Sequence, residues 1–214
     1  MKLQLALDFM EVEQAAQTSK DLDGIVDIIE AGTLFILKEG IGAVRKIKEA
    51  NPSMQVLADL KIMDAGDHEA RLGFEAGADL VTVLGAADNA TIAACVEEAK
   101  KYGKQVVADM IAVRNLESRA REVEALGVDY LCVHTAFDLQ AMGLDPLADL
   151  SMLAKILGRE KIAVAGGVKL ETLPAIAALQ PGIVVVGGAI TKQPDVKEAA
   201  KKVRDCMSAN EGPR

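Results

Sequence analysis

Charged side chains follow an apolar run near position 58, at a place where a strand would end. Residues 56–58 are apolar, Asp59 and Lys61 come directly after them, and Asp64 stands three residues further on. Side chains two apart in a strand point to the same side, so Asp59 and Lys61 share one face. Burying unpaired charges is costly. The pattern therefore predicts that this pair takes part in chemistry.

Ionisable side chains also stand at the ends of other short apolar runs. In run order they are Asp8, Glu30, Asp59 with Lys61, Asp109 and His134. In a barrel of parallel strands, the carboxyl-terminal strand ends meet at one mouth, where active sites are built. We expect these groups to converge on a single site there.

Glu30 and Asp59 are the candidate metal ligands. Two carboxylates from adjacent strands supply hard oxygen ligands to one Mg²⁺, with water and substrate oxygens in the other positions. Asp8 and Asp109 fit a role as helix cap or turn residue as well as they fit function, since loops that enter helices often use aspartate there. Glu30 is a poor capping residue, so capping does not explain it.

The other charged residues leave alternatives open. Lys61 either neutralises Asp59 or stabilises negative charge developing on a substrate, and Asp64 is a possible partner for its ammonium. His134 is either a satisfied core histidine or a proton carrier near neutral pH. His68 lies in a helical pattern and is interpreted as facing solvent, whereas Cys132 is interpreted as a small space-filling residue.

Two glycine pairs follow the last two apolar runs, namely Gly166 with Gly167 and Gly187 with Gly188. Barrels that bind phosphorylated substrates often hold the phosphate on backbone N–H groups of these two loops, where a short helix adds its positive end. The pairs predict a phosphate site there. Ordinary tight turns are the alternative.

Strand and helix patterns alternate about eight times along the chain. The predicted strands are 3–7, 25–29, 56–60, 80–84, 105–109, 130–134, 162–165 and 183–186. Helical periodicity covers 90–101 and 116–126, and glycines typical of helix ends stand at 77, 103 and 127. This alternation predicts a single-domain α/β (β/α)8 TIM barrel over 1–207, followed by a frayed tail over 208–214. An open doubly wound sheet is disfavoured because no glycine-rich turn follows the first strand.

Composition restricts the partners of this protein. The 214 residues carry 24 basic and 32 acidic side chains, a net charge of −8, which disfavours nucleic acid and anionic membrane surfaces as partners. No run of eighteen apolar residues and no secretory signal is present, so we expect neither a membrane span nor export. The cysteines at 95, 132 and 206 have no metal-type spacing, and reduced thiols in a cytoplasmic protein are expected.

With these residues in view, the chain resembles the 3-hexulose-6-phosphate synthases, within the larger group that includes orotidine 5′-phosphate decarboxylase and 3-keto-L-gulonate 6-phosphate decarboxylase. The D-x-K-x-x-D pattern of Asp59, Lys61 and Asp64 is specific to the whole group. The segments that carry the resemblance are 3–8, 27–33, 56–66, 77–87, 109–113, 127–141, 162–174 and 184–190.

The resemblance implies a Mg²⁺-dependent lyase that adds formaldehyde to D-ribulose 5-phosphate through a cis-enediolate. It implies that Glu30 and Asp59 hold the metal, that Lys61 stabilises the enediolate, and that His134 transfers protons. Asp8 would orient substrate hydroxyls. Family members are homodimers, and the residue matching Asp64 reaches into the partner's site.

The sister decarboxylase is the nearest alternative, and the chain departs from its pattern in four places. The sister's strand-five glutamate is Asp109 here, and its His-Arg pair is His134-Thr135. Phe137 and Ala189 occupy two further arginine positions. The missing arginines favour the synthase over an enzyme that acts on a carboxylated substrate.

Two more distant alternatives remain. A phosphopentose epimerase shares the barrel and the phosphate site but uses histidine metal ligands, and only two histidines exist here. A sugar-phosphate-binding barrel without activity is the alternative of another class. It has no use for a metal beside a proton carrier.

Overall fold

The computed structural model describes residues 1–210 and shows a closed barrel of eight parallel strands in sequential order. This confirms the predicted (β/α)8 fold. The strands are β1 Lys2–Leu7, β2 Ile28–Ala31, β3 Gln55–Ile62, β4 Leu80–Leu84, β5 Gln105–Asp109, β6 Tyr130–His134, β7 Ile162–Ala165 and β8 Ile183–Val186.

Helices cover the outside of the barrel. Over the described residues they are α1 Val12–Asp21, α2 Thr33–Glu39, α3 Gly42–Ala50, α4 Gly66–Glu75, α5 Asn89–Tyr102, α6 Leu116–Ala125, α7 Phe137–Gln140, α8 Leu147–Leu153, α9 Leu173–Ala178, α10 Gly188–Thr191 and α11 Val196–Ala209. A 3₁₀ turn spans Arg159–Lys161 before β7.

Two apolar clusters hold these layers together. The larger lies between strands and helices and includes Phe35, Ile47 and Ile92, all fully buried. The smaller fills the barrel interior with residues from seven strands and includes Leu57, Leu80 and Ile183. Aliphatic residues dominate both clusters, as the 3% aromatic content requires. The interior cluster forms the floor beneath the polar residues at the barrel mouth.

Each of β2, β4 and β6 is preceded by an aspartate that binds the strand before it. The aspartate carboxylate accepts the backbone N–H of the second residue of that strand, and the aspartate N–H donates to the same residue's carbonyl. The pairs are Asp27 with Leu3, Asp79 with Val56 and Asp129 with Val106, with carboxylate distances of 2.7, 2.9 and 2.8 Å. These bonds set where neighbouring strands begin.

Strand β2 begins three residues later than the sequence predicted. The N–H groups of Ile25 and Val26 bond back to the Leu22 carbonyl at 2.9 and 3.1 Å, and Gly24 has φ +73°. Residues 25 and 26 thus belong to the turn after α1, and the prediction of a strand over 25–29 was wrong at its start. The shift brings Glu30 inside the strand.

The carboxyl-terminal end of the chain also differs from the prediction. Helix α11 continues through Ala209, so residues 208 and 209 are helical rather than frayed. The rest of the predicted tail, 211–214, lies outside the described residues. Within residues 1–210, no helix is long and apolar enough to cross a membrane.

Candidate active site

A cavity opens at the carboxyl-terminal end of the barrel, and its walls differ in character. Polar or charged side chains line it from β1 to β6, and small apolar ones from β7 and β8. The polar residues are Gln4, Glu30, Asp59, Lys61, Thr82, Asp109 and His134, and the apolar wall includes Ala163, Ala165 and Val185. Five of the ionisable residues predicted from the sequence therefore meet in one cavity.

Lys61 lies in β3 where the strand's pairing with β4 is irregular. Its backbone adopts φ +47°, the left-handed region, and the pairing of β3 with β4 shifts register between Ala58 and Ile62. Its ammonium lies 2.9 Å from Asp59 Oδ2 and 2.8 Å from Asp109 Oδ2. Burial disfavours the charged form, but the two carboxylates outweigh it and raise the pKa of Lys61 above its ordinary value. Lys61 is therefore a fixed cation, and it does not pair with Asp64.

Asp109 joins Lys61 to His134. The same Oδ2 lies 2.9 Å from His134 Nδ1, and Oδ1 accepts the Ile111 N–H at 3.0 Å. Burial raises the pKa of Asp109, but the hydrogen bond and charge of His134, followed by those of Lys61, outweigh it and lower the pKa to about 2. An ionised carboxylate only accepts, so the proton of a neutral His134 ring lies on Nδ1 and Nε2 is left as an acceptor.

Glu30 lies deep in the site, close to other carboxylates. Burial, followed by the charge of Asp59, raises its pKa to about 8, and a hydrogen bond from Gln4 Nε2 at 2.6 Å opposes the rise. The pKa of Asp8 is also raised, first by burial and then by the charge of Asp59. If all of these carboxylates were ionised, they would carry more negative charge than Lys61 alone balances.

Two threonine hydroxyls complete the surroundings of Asp59. Thr82 donates to Oδ1 at 2.7 Å, and Thr33 Oγ1 lies 2.7 Å from Oδ2. Sequence reasoning missed both threonines, and it missed Gln4 as well. The available signal was the strand alternation, since Thr82 is the only polar residue in the apolar segment of β4.

The glycines at the mouth allow close approaches. At Gly32, a Cβ atom would lie 2.1 Å from Asp8 Oδ1, so the absence of a side chain leaves room for that carboxylate. Gly166 and Gly167 have φ values of +88° and +75°, and a Cβ on Gly166 would lie 2.1 Å from the Thr135 carbonyl oxygen. The β7 loop thus packs on the end of β6. Gly188 begins α10.

The other residues named from the sequence have different surroundings. Asp64 is exposed, and its Oδ1 accepts the Ala65 N–H at 2.7 Å. His68 is in α4, where its ring is 73% exposed and pairs with Asp67, as expected for a solvent-facing residue. Cys132 belongs to the interior apolar cluster, and all three cysteines are free. Neither Asp8 nor Asp109 caps a helix, but Asp109 accepts the N–H of Ile111 two residues on, as a turn residue does.

The donor set at the mouth suits a hard dication. Among residues 1–210, no three His, Cys, Asp or Glu side chains are arranged to hold a metal by themselves. Magnesium usually takes one or two carboxylates and completes its shell with water and substrate oxygens, so a pair suffices. Burial, followed by the charge of Asp59, raises the pKa of Glu30, and a dication between the two carboxylates would relieve their repulsion. Glu30 and Asp59 are the residues that fit such an ion.

Comparison with known proteins agrees with this architecture. Residues 1–203 match the model of the orotidine 5′-phosphate decarboxylase / HUMPS family, so the chain belongs to that family.

Within this family, the chain is 50% identical over 207 residues to a 3-hexulose-6-phosphate synthase of Bacillus subtilis, covering 97% of this chain and 99% of the relative. It is 48% identical to one from Staphylococcus haemolyticus, with the same coverage. The crystal structure of 3-hexulose-6-phosphate synthase from Salmonella typhimurium superposes with a TM-score of 0.94 at 46% identity, over 98% of this chain and 100% of that one. The chain is an enzyme, and the lyase class expected from its sequence agrees with these relatives.

Proposed function

We propose that the enzyme catalyses the reversible, Mg²⁺-dependent aldol addition of formaldehyde to D-ribulose 5-phosphate, giving D-arabino-hex-3-ulose 6-phosphate. The observation that carries the proposal is the shared carboxylate of Asp109. It holds a permanently charged Lys61 and an oriented His134 at one cavity. A cation beside a proton carrier is what enediolate chemistry needs. The curated relatives named for this activity support the same conclusion.

The reaction adds one carbon and releases nothing. A proton leaves C1 of the pentulose phosphate, and the C1–C2 enediolate attacks the formaldehyde carbon. The new carbon–carbon bond leaves an alkoxide on the former formaldehyde oxygen, which takes up a proton. The C2 carbonyl of the pentulose becomes the C3 carbonyl of the hexulose.

Each polar residue has a proposed role in that sequence. Lys61 stabilises the negative oxygen of the enediolate, because Asp59 and Asp109 keep it protonated and in place. His134 carries protons to and from the reacting atoms through Nε2, while Asp109 fixes its ring. Asp8 orients the substrate hydroxyls.

Glu30 and Asp59 are proposed to hold the Mg²⁺ ion. When bound, such an ion supplies electrostatic stabilisation to adjacent oxygens that gain negative charge. The hydrogen bond from Gln4 uses Oε2 of Glu30, so the Oε1 atom remains available as a ligand. That arrangement supports Glu30 as a ligand without loss of the Gln4 contact.

The substrate phosphate is proposed to bind the loops after β7 and β8. Gly166, Gly167, Gly187 and Gly188 offer backbone approach without side chains, next to the apolar wall of the cavity. Binding by backbone amides would let a protein of net charge −8 hold an anionic substrate without a basic patch.

We also propose a homodimer in which Asp64 reaches the partner's site. Asp64 is exposed at the mouth and bonds only to its own loop. The apolar side chain of Met63, next to Asp64 in the chain, is 54% exposed, which supports a covered surface there. A cytoplasmic location is proposed from the three free cysteines.

The decisive experiment follows formaldehyde loss in mixtures of the enzyme, ribulose 5-phosphate and Mg²⁺, with and without a chelator. We expect metal-dependent consumption and a hexulose phosphate product. The same preparation should be assayed for decarboxylation of 3-keto-L-gulonate 6-phosphate, where only a low rate is expected. Faster decarboxylation than condensation would favour the sister activity. Binding of ribulose 5-phosphate with no turnover in either assay would favour a non-catalytic barrel.

A further inference from the structure

Thr82 is a buried hydroxyl in an otherwise apolar strand. It is 6% exposed, and its neighbours in β4 are leucine and valine. A hydroxyl in such a place costs free energy unless it is hydrogen-bonded, and valine would fill the same space without that cost. The side chain is also one of those that line the cavity. Its bonding partners therefore explain its presence.

Both hydrogen bonds of Thr82 go to β3. The hydroxyl accepts the backbone N–H of Lys61 at 2.8 Å and donates to Asp59 Oδ1 at 2.7 Å. A hydroxyl has one proton, an amide N–H only donates and an ionised carboxylate only accepts, so the direction of both bonds is fixed. One side chain thus connects the backbone of Lys61 to the carboxylate of Asp59.

The Lys61 backbone needs such support. Its φ of +47° lies in the left-handed region, where the Cβ atom of a residue with a side chain comes too close to the backbone. The pairing of β3 with β4 shifts register between Ala58 and Ile62, so at Lys61 a side chain of β4 receives the backbone N–H. Without this acceptor, the backbone N–H of Lys61 would be left unpaired in a partly buried position.

We propose that Thr82 is a positioning residue that holds the left-handed backbone of Lys61 and the Asp59 carboxylate in register, so that the ammonium contacts Asp59 and Asp109 together. The kinetic consequence rests on the proposed function, because Lys61 acts there on the developing enediolate. Thr82 itself does not touch the reacting atoms. Its effect is on where Lys61 lies.

Thr33 provides a matched control. Its Oγ1 lies 2.7 Å from Asp59 Oδ2 and 2.9 Å from the Asp59 carbonyl oxygen, and it makes no hydrogen bond to Lys61. Thr33→Val therefore removes a hydroxyl from Asp59 and leaves the Lys61 backbone bonded. The difference between the two valine variants isolates the contact with the Lys61 N–H.

The experiment compares Thr82→Val, Thr82→Ser and Thr33→Val in the full-length enzyme. For Thr82→Val we expect kcat to fall about 10²-fold, the loss typical of a displaced catalytic group. Its KM for ribulose 5-phosphate should stay within about threefold, since the substrate contacts remain. Thr82→Ser keeps the hydroxyl, so its kcat should stay within about threefold of the wild-type value. In Thr33→Val, kcat should fall about tenfold, which corresponds to the loss of one hydrogen bond.

Crystal structures of the same variants provide a readout without turnover. In Thr82→Val, we expect Lys61 to leave the left-handed region and its ammonium to lose contact with Asp109, while Thr33→Val keeps both features. A wild-type kcat in Thr82→Val, or an unchanged Lys61 geometry with reduced kcat, would overturn the inference. If Thr82→Val does not fold, Thr82→Ala replaces it. Absence of formaldehyde consumption by the wild type would instead refute the proposed function, and the crystal structures would still test Thr82.

Discussion

Replacing Asp109 by asparagine removes one negative charge from a carboxylate that is 3% exposed and serves three donors. Its Oδ2 takes Lys61 and His134, and its Oδ1 takes the Ile111 N–H. An amide has one accepting oxygen and one donating nitrogen. In either orientation, the nitrogen therefore faces a donor, either the Ile111 N–H or both side chains.

The cost follows from the pKa of Asp109, which falls from an ordinary 3.8 to about 2. At 1.36 kcal/mol for each pKa unit, the folded protein favours the ionised form by about 2 kcal/mol. The donors that face the amide nitrogen of the asparagine lose their acceptor, which adds about 1–3 kcal/mol to the loss of stability. We therefore expect Asp109→Asn to lower the free energy of unfolding at pH 7 by about 3–5 kcal/mol, by the sum of these two contributions.

The pH dependence has a definite sign. Because the folded-state pKa is lowered, the stabilisation by the ionised carboxylate is fully present above about pH 4 and is lost as the pH falls from 3.8 towards 2. The stability difference between wild type and Asp109→Asn should thus be constant from pH 7 to about 5 and shrink below about 4.

Urea unfolding across this pH range measures the difference, and kcat measures the consequence for the reaction. Loss of the His134 anchor should lower kcat by at least about 10²-fold, the usual contribution of a positioned proton carrier. Asp88→Asn is the matched control, since Asp88 is exposed and its side chain makes no capping bond. The reasoning about Asp109 fails if its asparagine variant is as stable as the Asp88 variant at pH 7, or if kcat is unchanged.

Three further predictions concern other parts of the molecule. In calorimetry, Asp59→Ala should show no Mg²⁺ binding, and this variant should also lose turnover. His134→Ala should still bind the ion but turn over slowly. Retained turnover in Asp59→Ala would contradict the assignment of Asp59 as a metal ligand. Gly32→Ala should fold but raise the KM for ribulose 5-phosphate in steady-state assays, because the new Cβ would lie 2.1 Å from the Asp8 carboxylate and displace it. An unchanged KM would argue against a substrate role for Asp8. Ser19→Ala should raise the free energy of unfolding by about 1 kcal/mol in urea titrations, because the buried Oγ of Ser19 has no hydrogen-bond partner; a loss of stability would contradict this.

The barrel could be predicted because its signals are local. Six of the eight strands end where the apolar runs end, and the helix after β4 spans Asn89–Tyr102 where periodicity predicted 90–101. The start of β2 could not be found this way. Ile25 and Val26 look like strand residues, yet their N–H groups are already used by the preceding turn. Hydrogen bonds to Leu22 outweighed the β-branched composition.

The ionisable residues of the site could also be predicted, but their supports could not. Carboxylates at apolar strand ends stand out because burying them is costly. A threonine in a strand does not stand out, since threonine is common in strands for other reasons. Thr33 and Thr82 acquire meaning only through distances to Asp59. The left-handed backbone of Lys61 has no sequence signal either, because a lysine rarely adopts it.

The register of the barrel explains why these residues meet at all. Gln4 pairs with Ile28, Glu30 with Leu57, and Asp109 with Cys132. On the next strand, the functional residue lies two positions after the paired one in each case. These residues are Glu30, Asp59 and His134. In a flat sheet this offset would spread the residues diagonally across several pleats. Strands in a closed barrel tilt against its axis, which offsets neighbours in the same direction. Residues that are staggered in register therefore come within hydrogen-bond distance, as the Gln4–Glu30 and Asp109–His134 contacts of 2.6 and 2.9 Å demonstrate. Closure of the barrel, more than any single motif, assembles the site.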